Sequence, residues 1–247
     1  MKHLLLVLLA LSLIVLNACD KDVVNTTNSN SLANYVANKT VETGAVIACA
    51  GSDNNTNEVL IFYYPEDNAN NYKFFETNTT EEDNSDFNNY HEIKQDSEPV
   101  FNGALRRFRR NLESEKWIIV STELKNEIKL SNPIRIKQLS KPTTWQDIVS
   151  INHDAIGMPK FSWTDNYVKD NAIYFQVITN KQNDFLSGTY TIQNKFQYYK
   201  LDNVVLNVTK TNPPILAPKT SYNFTLMDIS VDNWVNLITL NKNISIP

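Results

Sequence analysis

Three histidines, two cysteines and no excess of positive charge set the first limits on what this 247-residue chain does. His3 sits in the apolar start, so only His91 and His153 remain for chemistry, each in polar, loop-like surroundings that suit a solvated side chain. Gly-x-Ser-x-Gly, His-Glu-x-x-His, Cys-x-x-Cys and a glycine-rich phosphate loop are all missing. General acid–base catalysis therefore has no evident carrier, and only carboxylates brought together by folding, as in glycoside hydrolysis, would supply one. Lys and Arg number 23 against 27 Asp and Glu, a net charge of −4. Nucleic acid is bound mainly by neutralising phosphates, so it is a poor partner for such a chain. No segment carries a 3.6-residue apolar stripe over three turns; Thr144–Asn152 suits a single helical turn. The apolar run Leu4–Leu16 falls short of the roughly 20 residues that a membrane-spanning helix needs.

What is present begins at that run. Lys2 and His3 precede it, and Leu16-Asn17-Ala18-Cys19 closes it, with small Ala18 where a signal peptidase needs a short side chain. This resembles the lipobox of bacterial lipoproteins. The resemblance implies a signal peptide over residues 1–18, cleavage before Cys19 and acylation of that cysteine, with palmitate among the chains. Asn17 is uncommon at its position, and a plain secretory signal is the rival reading. Since each buried methylene contributes about 0.8 kcal/mol, two or more acyl chains anchor a protein stably. Acylation would leave Cys49 without a partner, and its apolar run Ala45–Ala50 suits a buried core thiol. Residues 19–40, rich in Asn, Thr, Ser and Ala, read as a tether. A flexible coil of ~20 residues reaches about 25 Å.

Beyond residue 40 short apolar strands alternate with polar turns. Val, Ile, Phe, Tyr and Thr dominate, and alternation is plain in Phe161-x-Trp163, Tyr222-x-Phe224-x-Leu226 and Ile134-x-Ile136. The pattern predicts an all-β chain of two tandem β-sandwiches, over 41–139 and 159–247, joined by a linker at 140–158 that starts near Ser140-Lys141-Pro142.

The sharpest fold signal is Leu216-Ala217-Pro218-Lys219-Thr220-Ser221-Tyr222, which resembles the corner before the sixth strand of a fibronectin type III domain. The resemblance implies that Leu216 closes the core, Pro218 fixes the turn, and the Tyr222 hydroxyl bonds back to the turn backbone. Lys219 departs from it, standing where that family often has glycine. Trp163 would be the core tryptophan. The first half is similar only at its end, Trp117–Thr122 and Leu130–Ile136, so it is fibronectin-like or immunoglobulin-like. A lipobox and tether before two such modules resembles uncharacterised surface lipoproteins of Bacteroidota, and Asp20-Lys21-Asp22 is similar to their export signal.

Three further features could carry binding. Glu81-Glu82-Asp83-Asn84-Ser85-Asp86 is dense in oxygen but lacks the spacing of a calcium loop, so no metal site and no cofactor is expected. Arg106, Arg107, Arg109 and Arg110 form a cationic cluster in which Arg107 and Arg109 face opposite to Arg106, Phe108 and Arg110; the choice lies between a charge-balanced outer face and a patch for anionic sugars or lipid phosphates. In the adjacent pairs Tyr63-Tyr64, Phe74-Phe75 and Tyr198-Tyr199, strand alternation is expected to turn one ring outward. Trp145, in the expected linker, marks the interdomain seam as the place for a sugar-binding groove. The sequence thus points to a non-catalytic, lipid-anchored outer-membrane protein that binds a protein or glycan, and the resemblance of Asp20-Lys21-Asp22 to an export signal implies exposure at the cell surface. The alternatives are a structural subunit of an envelope assembly and, third, a glycan- or peptide-hydrolysing enzyme.

Overall fold

A computed structural model describes residues 30–164 and 169–247; Cys19, with its leader and export triplet, lies outside them. The first half contains helix α1 (Leu32–Val36) and strands β1 (Thr40–Val46), β2 (Ala48–Ser52), β3 (Glu58–Tyr63), β4 (Asn70–Glu76), β5 (His91–Ile93), β6 (Glu98–Val100), β7 (Leu105–Asn111), β8 (Trp117–Leu124), β9 (Glu127–Ser131) and β10 (Ile134–Arg135). The second contains β11 (Thr144–Gln146), β12 (Ser150–Asn152), β13 (Lys160–Ser162), β14 (Asn171–Asn180), β15 (Phe185–Thr191), β16 (Lys195–Gln197), β17 (Val204–Asn207), β18 (Ser221–Ser230) and β19 (Val235–Ser245). The protein is a pair of β-sandwiches. Sheet I runs β1-β9-β8-β4-β5 with β10 added to β8, and sheet II runs β2-β3-β7-β6. Sheet III runs β11-β19-β18-β14-β15-β17 and sheet IV β12-β13-β16. The plan repeats: β1 pairs parallel with β9, as β11 does with β19.

The sandwiches are stacked, not strung out. Sheets I and II enclose one core, with Ile61, Phe74, Phe108 and Val120 inside it. Sheets III and IV enclose another around Phe161, Ile178, Phe196 and Phe224. A third core lies between sheets II and III, where Leu60, Phe62 and Leu105 meet Phe175, Val177, Met227 and Ile238. Strand β3 is thus buried on both faces, which explains its unbroken run Val59-Leu60-Ile61-Phe62-Tyr63. The β18–β19 turn goes further: fully buried Trp234 belongs to the first sandwich's core and donates its indole N–H to the Lys141 carbonyl at 2.8 Å. Around it Arg135 N–H donates to Asp232 O and Ala50 N–H to Asn233 O, at 2.9 and 3.1 Å. The second half therefore completes the first half's core.

The segments expected as connectors are built into the fold. From Ser31 the chain is no tether. Ser31 caps α1, accepting from Asn34 N–H, and Leu32 is fully buried with Phe75, Tyr90 and Ile119 on the outer face of sheet I. An apolar face needs a cover, and α1 is that cover. The expected linker is likewise consumed by pairing. Thr144–Asn152 makes two strands and no helical turn, with β11 on β19 and β12 on β13. Thr143 N–H donates to Ser52 Oγ and the Thr143 hydroxyl to Val235 O, bolting the crossing between halves.

At the fibronectin-like corner Ala217 N–H donates to the Tyr222 hydroxyl at 3.0 Å, and Leu216 is buried in the second core. Lys219 holds φ +56°, the left-handed conformation that glycine adopts without cost. Its N–H donates to Ile246 O at 2.8 Å. Trp163 is buried edge-on to Tyr174, centroids 5.3 Å apart.

Candidate functional site

The arginine cluster on β7 is occupied by the protein's own acids. Arg110 is bidentate to Glu76, at 3.1 and 3.0 Å, and Lys116 joins the same carboxylate at 2.8 Å. Burial alone would raise the Glu76 pKa, but hydrogen bonds from Arg110 and Lys116 outweigh it and hold the carboxyl below its ordinary value. Arg106 donates to Ser97 and lies over the Tyr72 ring at 4.9 Å. On the opposite face Arg107 pairs with Glu98, and Arg109 with Glu98, Asp53 and Glu58. Glu58 and Glu98 come from β3 and β6, which pair with β7, Asp53 from the end of β2 in the same sheet, and Glu76 from β4 of sheet I across the core. An incoming anion would have to displace four carboxylates.

Trp145 is also spoken for. Its indole N–H donates to Ser52 O at 2.9 Å, and its half-buried ring packs on the core between sheets II and III. It fastens the seam and offers no platform there. In the acidic loop the carboxylates cap backbone: Glu82 accepts from Asn78, Asp83 from Ser85 and Asp86 from Asn88. Among the described residues no three His, Cys, Asp or Glu side chains are placed to hold a metal ion. His91 Nε2 lies 3.8 Å from Glu76 Oε1, and His153 is in a half-exposed turn. Burial pushes the Cys49 thiol up to about 12, which makes it inert at neutral pH.

The aromatic pairs divide in an informative way. Phe74 and Phe75 are both fully buried, because α1 covers the face that would otherwise be wet. Tyr63 and Tyr198 turn inward, their hydroxyls donating to Ser97 Oγ and Pro214 O. Tyr64 is half-buried against the core between sheets II and III and Tyr199 is 40% exposed, and the two line adjoining hollows of a cleft that begins at the seam.

That cleft has two hollows, of about 330 and 210 Å³, which share Thr209, Lys210 and Thr211. The larger is walled by Tyr64, Phe101 and Ala104 of the first sandwich and by Phe185 and Val208 of the second. Asn102 Nδ2 hydrogen-bonds Asp184 across one side of the seam, and Lys210 pairs with Asp67 across it too. The smaller hollow has Tyr199, Leu201, Asn207 and Pro213 on its walls. Hydrogen bonds from Asn180 and Asn102 hold the Asp184 carboxyl below its usual range. The hydrogen bond to Asp67 raises Lys210. Both groups are thus charged and matched at neutral pH.

The cleft is fixed by costly local conformations. Phe101 has φ +50° and Tyr199 φ +73°, left-handed values that are outliers for bulky side chains. Such residues cost about 1–3 kcal/mol each and gather at binding and catalytic sites. The Phe185 ring lies across β15 only because position 188 is glycine. A Cβ there would stand 2.6 Å from Phe185 Cζ and 2.8 Å from Val208 Cγ2. Sequence reasoning marked the pairs Tyr63-Tyr64 and Tyr198-Tyr199 without selecting a ring in either, and missed Phe101, Asn102, Asp184, Phe185 and Lys210. Phe185-Leu186-Ser187-Gly188, an aromatic three residues before a strand glycine, was the available signal.

No protein-family model and no curated protein matches this chain. Solved structures align over much of it with little superposition. Domains A168–A170 of titin match at 9% identity and a TM-score of 0.25, over 83% of this chain, which spans 58% of the titin fragment. The chicken interferon gamma receptor alpha chain matches at 9% identity and a TM-score of 0.25, over 81% of this chain and 97% of its own. A laminaripentaose-producing β-1,3-glucanase of family 64 from Paenibacillus barengoltzii, complexed with laminarihexaose, matches at 13% identity and a TM-score of 0.27. That alignment covers 78% of this chain and 50% of the glucanase.

Proposed function

We propose that this protein is a lipid-anchored, non-catalytic binding protein of the bacterial outer membrane, which presents the seam cleft to a protein or glycan. The carrying observation is the cleft itself: aromatic walls from both sandwiches, a matched polar rim, and Phe101 and Tyr199 held at φ +50° and +73°. The anchor rests on Leu16–Cys19 and the apolar run before it, and exposure at the surface on Asp20-Lys21-Asp22. Anchoring concentrates the cleft near the membrane, so a modest affinity suffices. No helix among the described residues is long and apolar enough to cross a bilayer, and a lipid on Cys19 needs none. The test uses the full-length protein expressed in a bacterial host. Cys19→Ala moves it from the membrane to the soluble fraction, and capture on the wild-type protein enriches an envelope ligand that Tyr199→Ala does not. A membrane-bound Cys19→Ala protein removes the anchor; equal capture by Tyr199→Ala removes the cleft.

A second reading, a subunit held in an envelope assembly, is favoured by one feature. Strand β17 is a sheet edge on which Val205 and Leu206 are 54% and 40% exposed, a site where another strand could pair. Val205→Pro would abolish capture under that reading and leave it intact under the first.

A further inference from the structure

We infer that the seam cleft takes a linear, uncharged oligosaccharide, seated with one sugar against Tyr64, Phe101 and Phe185 and a neighbouring sugar against Tyr199. The inference rests on the binding role proposed above and narrows its ligand to one chemical class.

A pyranose has an apolar C–H face and a rim of hydroxyls, each both donor and acceptor. A protein surface that fits it offers flat rings beneath and planar amides, carboxylates and hydroxyls at the edge. The larger hollow has that layout. Three aromatic rings wall it, and Asn102, Asp184, Thr209 and Thr211 stand around it. The smaller adds the Tyr199 ring, 40% exposed, with Asn207 and Asn212 as amide partners. The two hollows meet at Thr209–Thr211, which suits consecutive units of a chain rather than one isolated sugar.

Charge decides against an anionic ligand in the larger hollow. Lys210, its lining cation, is bound to Asp67 and stands 5.6 Å from the Tyr64 ring centre. Asp184 is held by Asn102 and Asn180 and would repel a carboxylate or sulfate. A neutral hydroxyl can hydrogen-bond either group without breaking the pairs. A peptide strand would pair instead on the open edge of β17, whereas the hollows are lined by rings, amides and hydroxyls. Gly188 leaves the room that the Phe185 ring occupies, and the left-handed turns at Phe101 and Tyr199 set where those side chains leave the backbone.

The test titrates the full-length protein, in a detergent with no sugar headgroup, with maltohexaose, cellohexaose, laminarihexaose, xylohexaose and mannohexaose, and with hexagalacturonate as the charged comparison. Calorimetry should find one or more of the five neutral chains bound, with an affinity that is unchanged between 50 and 500 mM NaCl. Tyr199→Ala and Phe185→Ala should each weaken it at least tenfold. Tyr199→Gly, which relieves the left-handed backbone while removing the ring, should match Tyr199→Ala in affinity and melt no lower than wild type. Binding of none of the five, binding of hexagalacturonate alone, or equal affinity in the ring variants overturns the inference. If the sugars fail but an envelope protein is captured in a Tyr199-dependent way, the binding role stands and the glycan does not. If nothing is captured either, both fall.

Discussion

Replacing Trp234 with alanine should unfold the sandwich to which Trp234 does not belong by sequence. The residue sits in the β18–β19 turn of the second half, yet it is fully buried in the first core beside Ala50, Ile118 and Ile136. Emptying a site of that size costs about 3–5 kcal/mol. The Lys141 carbonyl also loses its 2.8 Å donor, which adds about 1–3 kcal/mol if the carbonyl stays dry. A combined loss of about 4–8 kcal/mol is a large share of the ~5–15 kcal/mol that holds a typical domain together. At ~2–4 °C per kcal/mol for a chain of this size, the melting temperature should fall by about 8–32 °C. Trp234→Phe keeps most of the volume and loses the N–H donor, so it should cost about 1–3 kcal/mol. Hydrogen exchange followed by mass spectrometry locates the damage. Amides of Val59–Tyr63 and Ile118–Val120, in the first sandwich, should lose protection to the same degree as those of Phe224–Met227. If Trp234→Ala exposes only the β18–β19 turn and leaves the first sandwich protected, the claim that the halves share a core is wrong.

Four other substitutions address separate parts of the structure. Glu76→Gln leaves Arg110 and Lys116 without their anion and should cost about 2–4 kcal/mol at pH 7 by urea unfolding, somewhat under the full penalty of a broken buried pair because both cations are partly wet. Because the folded pKa of Glu76 lies below its unfolded value, the wild-type advantage is complete above the unfolded pKa of about 4.3 and vanishes as pH falls through the folded one; a constant gap between pH 7 and pH 2 would refute the assignment. Leu32→Ala should cost about 2–5 kcal/mol, where a residue in a tether would cost nothing. Lys219→Gly should raise stability by about 0.5–1 kcal/mol by relieving a left-handed lysine, and a loss would mean that the side chain holds the corner in some other way. Cys49 should resist iodoacetamide at pH 8 and react in urea; rapid alkylation of the native protein would contradict its burial.

Asparagine shows how composition becomes structure here. The chain has five glycines, and of twelve non-glycine residues at positive φ among the described residues, eight are asparagine: Asn38, Asn68, Asn71, Asn102, Asn126, Asn183, Asn233 and Asn243. Asparagine tolerates the left-handed region because its amide bonds locally, so it turns the chain where glycine is scarce. The abundance of asparagine was visible from the start; which asparagines turn the chain was not.

Period-two alternation, short apolar runs and the Leu216–Tyr222 corner were enough to read two β-sandwiches, because those signals are local and each strand carries its own. They also required one tyrosine of each pair, Tyr63-Tyr64 and Tyr198-Tyr199, to face away from the core, but not which one. What no local signal could contain is which surfaces meet. Phe75 is dry because α1 lies over it, Trp145 is fastened to Ser52, and three of the four arginines of β7 are matched by acids while Arg106 is held by Ser97 and Tyr72. Trp234 fills a core more than a hundred residues away in sequence from β8 and β4. The cleft is of the same kind, since Phe101 and Asn102 come from one half and Asp184, Phe185 and Lys210 from the other. Strand pairing within a sandwich follows from the pattern of its residues; the stacking of sheet II on sheet III follows from apolar faces that only the folded halves possess, and that stacking made the site.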